Sequence, residues 1–358
     1  MFVRWSNLTL DGDDQSRGTL AGGEHPRFGQ RQLPGYRDPA AVRRFDVPEA
    51  LDMRFYEVHA KSVLNRVPEQ SRMPFRWTIN PYRGCSHACN FCFARPTHTF
   101  LGFNSGRDFE REIVVKVNAP EVLRVELARP SWKREHVALG TNTDPYQWVE
   151  GRYRLMQGIW EALRDAANPC SVLTKSPLLL RDLPLMLEIA ERTSFSACLS
   201  IPTLDEKAWR ATEPHTPSPR ARLEAVAELN RAGIPTGVLI APLMPGINDA
   251  PHQIEPLLEA ATDAGATSIA GVALHLRGEV RSVFMGWMRS QRPDLVPRYE
   301  QLYRHGAYAP PGERARLAQL VRRGNAPGAF WRQRSSPAEG AGNAEDPVIA
   351  TTRQESLF

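Results

Sequence analysis

Three of the five cysteines stand within eight residues, in Gly84-Cys85-Ser86-His87-Ala88-Cys89-Asn90-Phe91-Cys92. Positions i, i+4 and i+7 share one face of a helix, so one reading is a stripe of small buried hydrophobes. The flanks oppose it: Pro81, Gly84 and Asn90 favour a loop, in which thiolates can turn toward one centre. Zinc is a second reading, with His87 or His98 completing a Cys₃His site. The third, which we prefer, is an iron–sulfur cluster. A [4Fe–4S] cube takes four thiolates, and three close ligands with no nearby fourth leave one iron open to another molecule. Cys170 and Cys198 carry no assigned chemistry, and Cys198 reads as core.

A second set of candidates closes apolar runs. Gly140, Thr141 and Asn142 end the run at 136–142, and Asp144 lies just past it. A glycine followed by short polar residues exposes backbone and side-chain acceptors toward a ligand, or makes an ordinary strand-to-helix cap. Lys175 and Ser200 end two further runs, where a polar rim for ribose and carboxylate groups competes with a plain solvated strand end. Ala241-Pro242 offers a flat surface for an adenine-sized ring, and Gly246 permits close backbone approach. His275 is a weaker candidate near the end of the last run.

Something must place these residues together. Short β-prone runs recur at 75–80, 136–142, 171–175, 195–201, 236–241 and 267–274. Between most of them, apolar residues at three- and four-residue spacing predict helices over 120–128, 151–166, 178–191, 220–232 and 251–264. The helix at 220–232 has the clearest ends, with Ser218-Pro219 to start it and Gly233 to stop it. Alternation of strand and helix implies parallel pairing. The resulting fold is α/β, and functional groups belong at the carboxyl ends of its strands.

The 358 residues are 42% hydrophobic and 24% charged, enough to bury a core without disulfides, and five cysteines are an odd number for a secreted framework. A formal charge of +5 is too mild and dispersed to mark a dedicated nucleic-acid binder. The start lacks the apolar core of a signal peptide, and no apolar run approaches the ~18–20 residues of a membrane span. A cytoplasmic protein with no membrane partner is expected.

The cysteine motif resembles the signature of the radical S-adenosylmethionine superfamily, CxxxCxΦC, with Phe91 at the aromatic position. The resemblance runs over roughly 76–306. It implies a partial (β/α)₆ TIM-type barrel and a [4Fe–4S] cluster held by Cys85, Cys89 and Cys92. It also implies that S-adenosylmethionine is cleaved reductively to a 5′-deoxyadenosyl radical, which abstracts hydrogen from a substrate. The segment 136–147 then matches the loop that grips the methionine amino group, with Gly140, Thr141, Asn142 and Asp144 as candidates. Glu213-Pro214 through Ser218-Pro219-Arg220 is similar to the spore photoproduct lyase-like branch, which implies Glu213 and Arg220 near the cofactor, Arg220 at its carboxylate. In those lyases a second-strand cysteine returns hydrogen to the product radical. Thr141 stands at the matching position, so thymine-dimer reversal by that route is not expected, and the stretch 74–147 is closer to DNA-repair photolyase-like radical proteins. DNA is implied as a substrate class, and a reductant such as flavodoxin or ferredoxin as a partner. A binding module stabilised by zinc or tethered to a clamp is the alternative to an enzyme.

Five segments are expected: a flexible arm over 1–45, a covering segment over 46–75, the core over 76–280, a helical cap over 281–325 and a disordered tail over 326–358. The last five residues, Gln354-Glu355-Ser356-Leu357-Phe358, resemble the peptide by which bacterial repair proteins dock on the sliding clamp, with Glu355 departing from the usual leucine.

Overall fold

The computed structural model describes residues 29–71 and 73–322. In chain order its strands are β1 (Gln30–Arg31), β2 (Ala40–Arg43), β3 (Arg54–Val58), β4 (Leu64–Arg66), β5 (Trp77–Ile79) and β6 (Tyr82–Arg83). They continue as β7 (Glu112–Lys116), β8 (Val137–Leu139), β9 (Cys170–Thr174), β10 (Phe195–Ser200), β11 (Thr236–Leu243) and β12 (Ile269–Ala273). The main sheet has the order β12-β11-β10-β9-β8-β5-β4. Its six strands from β5 to β12 are all parallel, and β4 adds an antiparallel edge. All six runs named from the sequence are therefore present, ordered as a partial (β/α)₆ barrel requires.

Along each strand, alternate residues take opposite faces. Val137, Leu139, Cys170, Val172, Ala197, Leu199, Val238 and Ile240 pack outward into the main core. The helices Ala119–Leu127, Leu155–Asp165, Leu183–Arg192, Pro219–Arg231 and Pro251–Asp263 supply the other side. Ser218 starts the Pro219–Arg231 helix as expected, accepting from the Ala221 N–H at 3.2 Å. The helix expected over 151–166 is broken at Arg154, whose φ is +52°. That expected over 178–191 opens with a 3₁₀ segment, Pro177–Asp182.

Three expectations are corrected. The arm expected over 1–45 is not an arm from residue 29 onward. There β1 and β2 join a second sheet of order β1-β2-β3-β7-β6, and Leu33, Ala40 and Val42 are buried in it. The rest of that segment, the tail from 323 and the clamp-like peptide at Gln354 to Phe358 lie outside the described residues. The second sheet itself was not foreseen, and it also claims part of the covering segment through β3. Finally, the end of the cap expected over 281–325 is the barrel's sixth helix: Pro311–Arg322 sets Leu317 and Val321 into the main core. The cap proper is formed by Val280–Gln291 and Val296–Leu302. No helix among the described residues is long and apolar enough to cross a membrane.

Only Asn80 and Pro81 separate β5 from β6, so the chain passes from the main sheet to the second one immediately before Gly84. The cysteine segment hangs from that corner.

Candidate functional site

From Gly84 to Cys92 the chain is a series of turns, as its glycine, proline and asparagine predicted. Gly84 has φ +81°, and a Cβ there would come within 3.0 Å of the His98 ring, Ile113 and the Phe109 carbonyl. The Cys85 N–H donates to Phe109 O at 2.8 Å. Gln147, fully buried, donates to Gly84 O at 3.1 Å and accepts from Ser86 N–H at 2.9 Å. Asn90 fastens the far end, its side chain donating to Ala211 O at 2.8 Å and its N–H to Thr212 O at 3.1 Å. Arg95 holds the middle. It is fully buried, gives Nε and Nη2 to Cys89 O at 3.0 and 2.9 Å, reaches Ala88 O, Ser105 O and Gly106 O, and pairs with Glu110.

The three thiols are thereby held in one wall. Cys85 and Cys92 pack with Ala94 and Phe109, while Cys89 and Phe91 pack with the cap residues Phe284, Met285 and Met288. Burial pushes the Cys85 thiol up to about 12, helped by the Asp144 carboxylate and by Cys92. Burial and Glu213 push Cys89 well up as well, and burial raises Cys92 against the pull of Arg95. Thiols in this setting keep their protons until a metal takes the charge.

Opposite the cysteine loop, the strand ends bring several candidates together. Lys175 Nζ donates to Ser200 Oγ at 2.7 Å and pairs with Glu213 Oε1 at 2.8 Å, 5.8 Å from the Phe91 ring centroid. Burial pushes the Glu213 carboxyl up, but Arg222 at 2.8 Å and Lys175 together hold it below the ordinary value. Asp144 joins rim to loop: it accepts from Thr174 Oγ1 at 2.6 Å and Lys175 N–H at 2.7 Å, and lies 3.4 Å from His87 Nδ1. Gly140 sits against β9 with φ +76°. A Cβ there would fall 1.8 Å from Leu173 O, so only glycine lets β8 end in this position. Thr141 and Asn142 follow it, half-buried.

Two expectations differ from the geometry. Arg220 is exposed on the helix that Ser218 starts, whereas Arg222, fully buried, pairs with Glu213 and donates to Ser200 O at 2.7 Å. Gly246 is approached by Leu295 of the cap rather than left open for a ring. Cys198 is fully buried, in keeping with its reading as core, on the strand face it shares with Ser200 two residues on. His275 lies just past β12 with its Nδ1 buried and without a hydrogen bond. Arg95, Arg222 and Gln147 were not named as site residues. Gln147 was reachable, because it closes the segment already singled out at 136–147.

Three cysteines on one loop are soft sulfur donors of the kind that an iron–sulfur cluster or a zinc ion takes. Among the described residues no three His, Cys, Asp or Glu side chains converge as a single-ion site requires. His98 is packed between the Phe103 and Phe109 rings and His87 lies against Asp144, so neither stands as an evident fourth ligand.

The family model described as Radical SAM superfamily matches residues 79–260, from the last residue of β5 to the helix after β11. An uncharacterized protein of Mycobacterium tuberculosis is 48% identical over 289 residues, 81% of this chain and 85% of that protein. A radical SAM Nα-GlyT isomerase of Pseudomonas phage M6 is 29% identical over 184 residues, 49% of this chain and 36% of the isomerase. The structure of spore photoproduct lyase complexed with dinucleoside spore photoproduct superposes with a TM-score of 0.55 at 16% identity, covering 75% of this chain and 78% of the lyase. With a family model covering half its length, a cysteine motif at the matching corner and the six parallel strands in order, the chain belongs to the Radical SAM superfamily.

Proposed function

We propose that the protein binds a [4Fe–4S] cluster through Cys85, Cys89 and Cys92 and S-adenosylmethionine across the strand ends, and abstracts hydrogen from a substrate in DNA. When bound, the reduced cluster supplies the electron that splits the sulfonium of S-adenosylmethionine into methionine and a 5′-deoxyadenosyl radical. One observation carries the reading: three thiols, two buried and one half-buried, face a rim of charged and hydroxyl groups, and Asp144 spans the two.

The chain's own residues supply binding and shelter. Lys175 and Arg222 are the cations for a carboxylate, Glu213 meeting one of their two charges, and Ser200 offers a hydroxyl beside Lys175. Asp144 is the anion at the end of β8, suited to an ammonium group, with Gly140 keeping the backbone close. Phe91 and the cap side chains exclude water from the thiols. The substrate assignment is supported by the likeness to a lyase complexed with a dinucleoside photoproduct, which is analogy. A flavodoxin or ferredoxin is proposed as the electron donor, and the clamp-like peptide as a tether.

Anaerobic reconstitution should yield about four irons per chain, and dithionite with S-adenosylmethionine should release 5′-deoxyadenosine. Cys89→Ala should lose both. Stoichiometric zinc with no cleavage overturns the enzyme reading. DNA deuterated at the base should pass label into 5′-deoxyadenosine, and cleavage without transfer removes DNA as substrate.

A further inference from the structure

Beside the cysteine loop lies a group of side chains that neither the cluster nor the ligand rim uses. Phe93 follows Cys92 directly and leaves 52% of its surface in water. Its ring centroid is 5.9 Å from that of His275, and the His275 ring is 5.7 Å from that of Tyr308, which is also exposed. The Arg277 guanidinium carbon lies 5.2 Å from the centre of the Tyr308 ring. These side chains come from three separate segments: the cysteine loop, the chain just past β12, and the turn after the second cap helix.

The arrangement is fixed. His275 and Tyr308 face each other in an antiparallel backbone bridge, and the Leu276 N–H donates to Ala307 O at 2.7 Å. Neighbouring rings are tilted by 48° and 41°, so they form a stepped wall with open faces rather than a closed stack. His275 Nδ1 is buried beneath that wall with no hydrogen-bond partner. Burial, with Arg277 beside it, pushes the His275 ring down to about 4, so it is neutral at pH 7. Segments 275–281 and 304–308 carry Arg277, Arg281 and Arg304 against a single carboxylate, Glu279.

Exposed rings gathered at a site mouth mark a binding surface more often than chance. Every nucleobase has a flat face to lay on them, and the arginines answer the phosphates that accompany it. We propose that Phe93, His275 and Tyr308, with Arg277, form a platform that stacks an unpaired nucleobase and holds its phosphate beside the cysteine loop. The proposal rests on the reading of a nucleic-acid substrate and assigns its docking to named residues.

The test is fluorescence anisotropy of a labelled single-stranded thymidine oligonucleotide with the full chain under anaerobic conditions. Phe93→Leu and Tyr308→Leu keep apolar bulk and remove the aromatic face, and each should weaken binding by about five-fold or more. Arg277→Gln should weaken binding and lower its salt dependence. Phe100→Ala, an exposed ring outside the group, should bind like the parent. Melting temperatures within a few degrees of the parent verify folding; for a variant that unfolds, Phe93→Tyr, which restores an aromatic face, must restore binding. Parent-level binding by both leucine variants overturns the proposal, and so does a parent that binds no oligonucleotide. Release of 5′-deoxyadenosine without oligonucleotide is measured separately, so a failed platform and a failed radical reading give different results.

Discussion

Arg95 shows how much one buried side chain can carry. Its guanidinium answers four backbone carbonyls and Glu110 inside the turn that holds the thiols, and it lies 5.3 Å from the centre of the Phe109 ring. Lysine offers a point charge where the fork is needed. Arg95→Met should lower stability by about 3–5 kcal/mol, the usual cost of breaking a buried charge network, and Arg95→Lys by less. Both should retain less iron after reconstitution, measured by metal content alongside urea unfolding. His98 acts at the same scale through pH. Burial, and then Arg83, push its ring down to about 4, and neither ring nitrogen has a hydrogen-bond partner. An unfolded histidine takes a proton near pH 6.5. Between pH 6.5 and 4 the unfolded chain therefore binds more protons, so this part of the stability is present above 6.5 and lost as pH falls through that window. His98→Phe keeps a ring against Phe103 and should narrow the difference in unfolding free energy between pH 7 and pH 5 by about 2 kcal/mol. An unchanged difference would show that His98 is protonated in the folded chain.

At the scale of elements, the site depends on how strand ends meet. Gly140→Ala would drive a Cβ into Leu173 O, and its positive φ adds strain. A loss of about 3 kcal/mol or more is expected, read by chemical unfolding, together with weaker S-adenosylmethionine binding by equilibrium dialysis. Glu213→Gln leaves Lys175 and the fully buried Arg222 sharing one neutral partner, and should cost about 3–5 kcal/mol. The six parallel strands were legible because each is an apolar run that stops at a polar or small residue. The same stops gave Asp144, Lys175 and Ser200, the resemblance gave Glu213, and the four do meet. Arg222 was not legible: two residues are 200° on a helix, so of Arg220 and Arg222 only one can face the barrel. Packing, not composition, makes the choice. Arg95 was hidden because its partners are carbonyls, which every sequence has everywhere. The second sheet escaped because β1 and β6 are two residues long and β7 pairs with β3 across more than fifty residues.

On the scale of the whole molecule, the cysteine loop is clasped from two sides. The helix Arg107–Arg111 that leads into β7 holds it through the Phe109 ring and through the Phe109 carbonyl, which accepts from the Cys85 N–H, and the cap holds it through a cluster joining Cys89 and Phe91 to Met244, Ile247, Phe284 and Tyr299. The cap is therefore part of the site's wall, although its helices follow the last barrel strand. Phe284 is fully buried at its centre, with ring centroids 5.3 Å from Trp287 and 5.6 Å from Tyr299. Phe284→Ala should cost about 3–5 kcal/mol through the cavity it leaves. Leu257→Ala, in the main core behind the sheet, should cost about 2–5 kcal/mol through the same effect. The two differ in what lies next to the cavity. In the first, loosened packing reaches Cys89 and Phe91 and admits water to the thiols; in the second it reaches only helix and strand. At matched stability, adjusted with small amounts of urea, reconstituted Phe284→Ala should surrender iron to a chelator faster than Leu257→Ala. Equal rates would mean that the cap shelters the loop only by adding to global stability, since iron would then escape through unfolding of the whole chain.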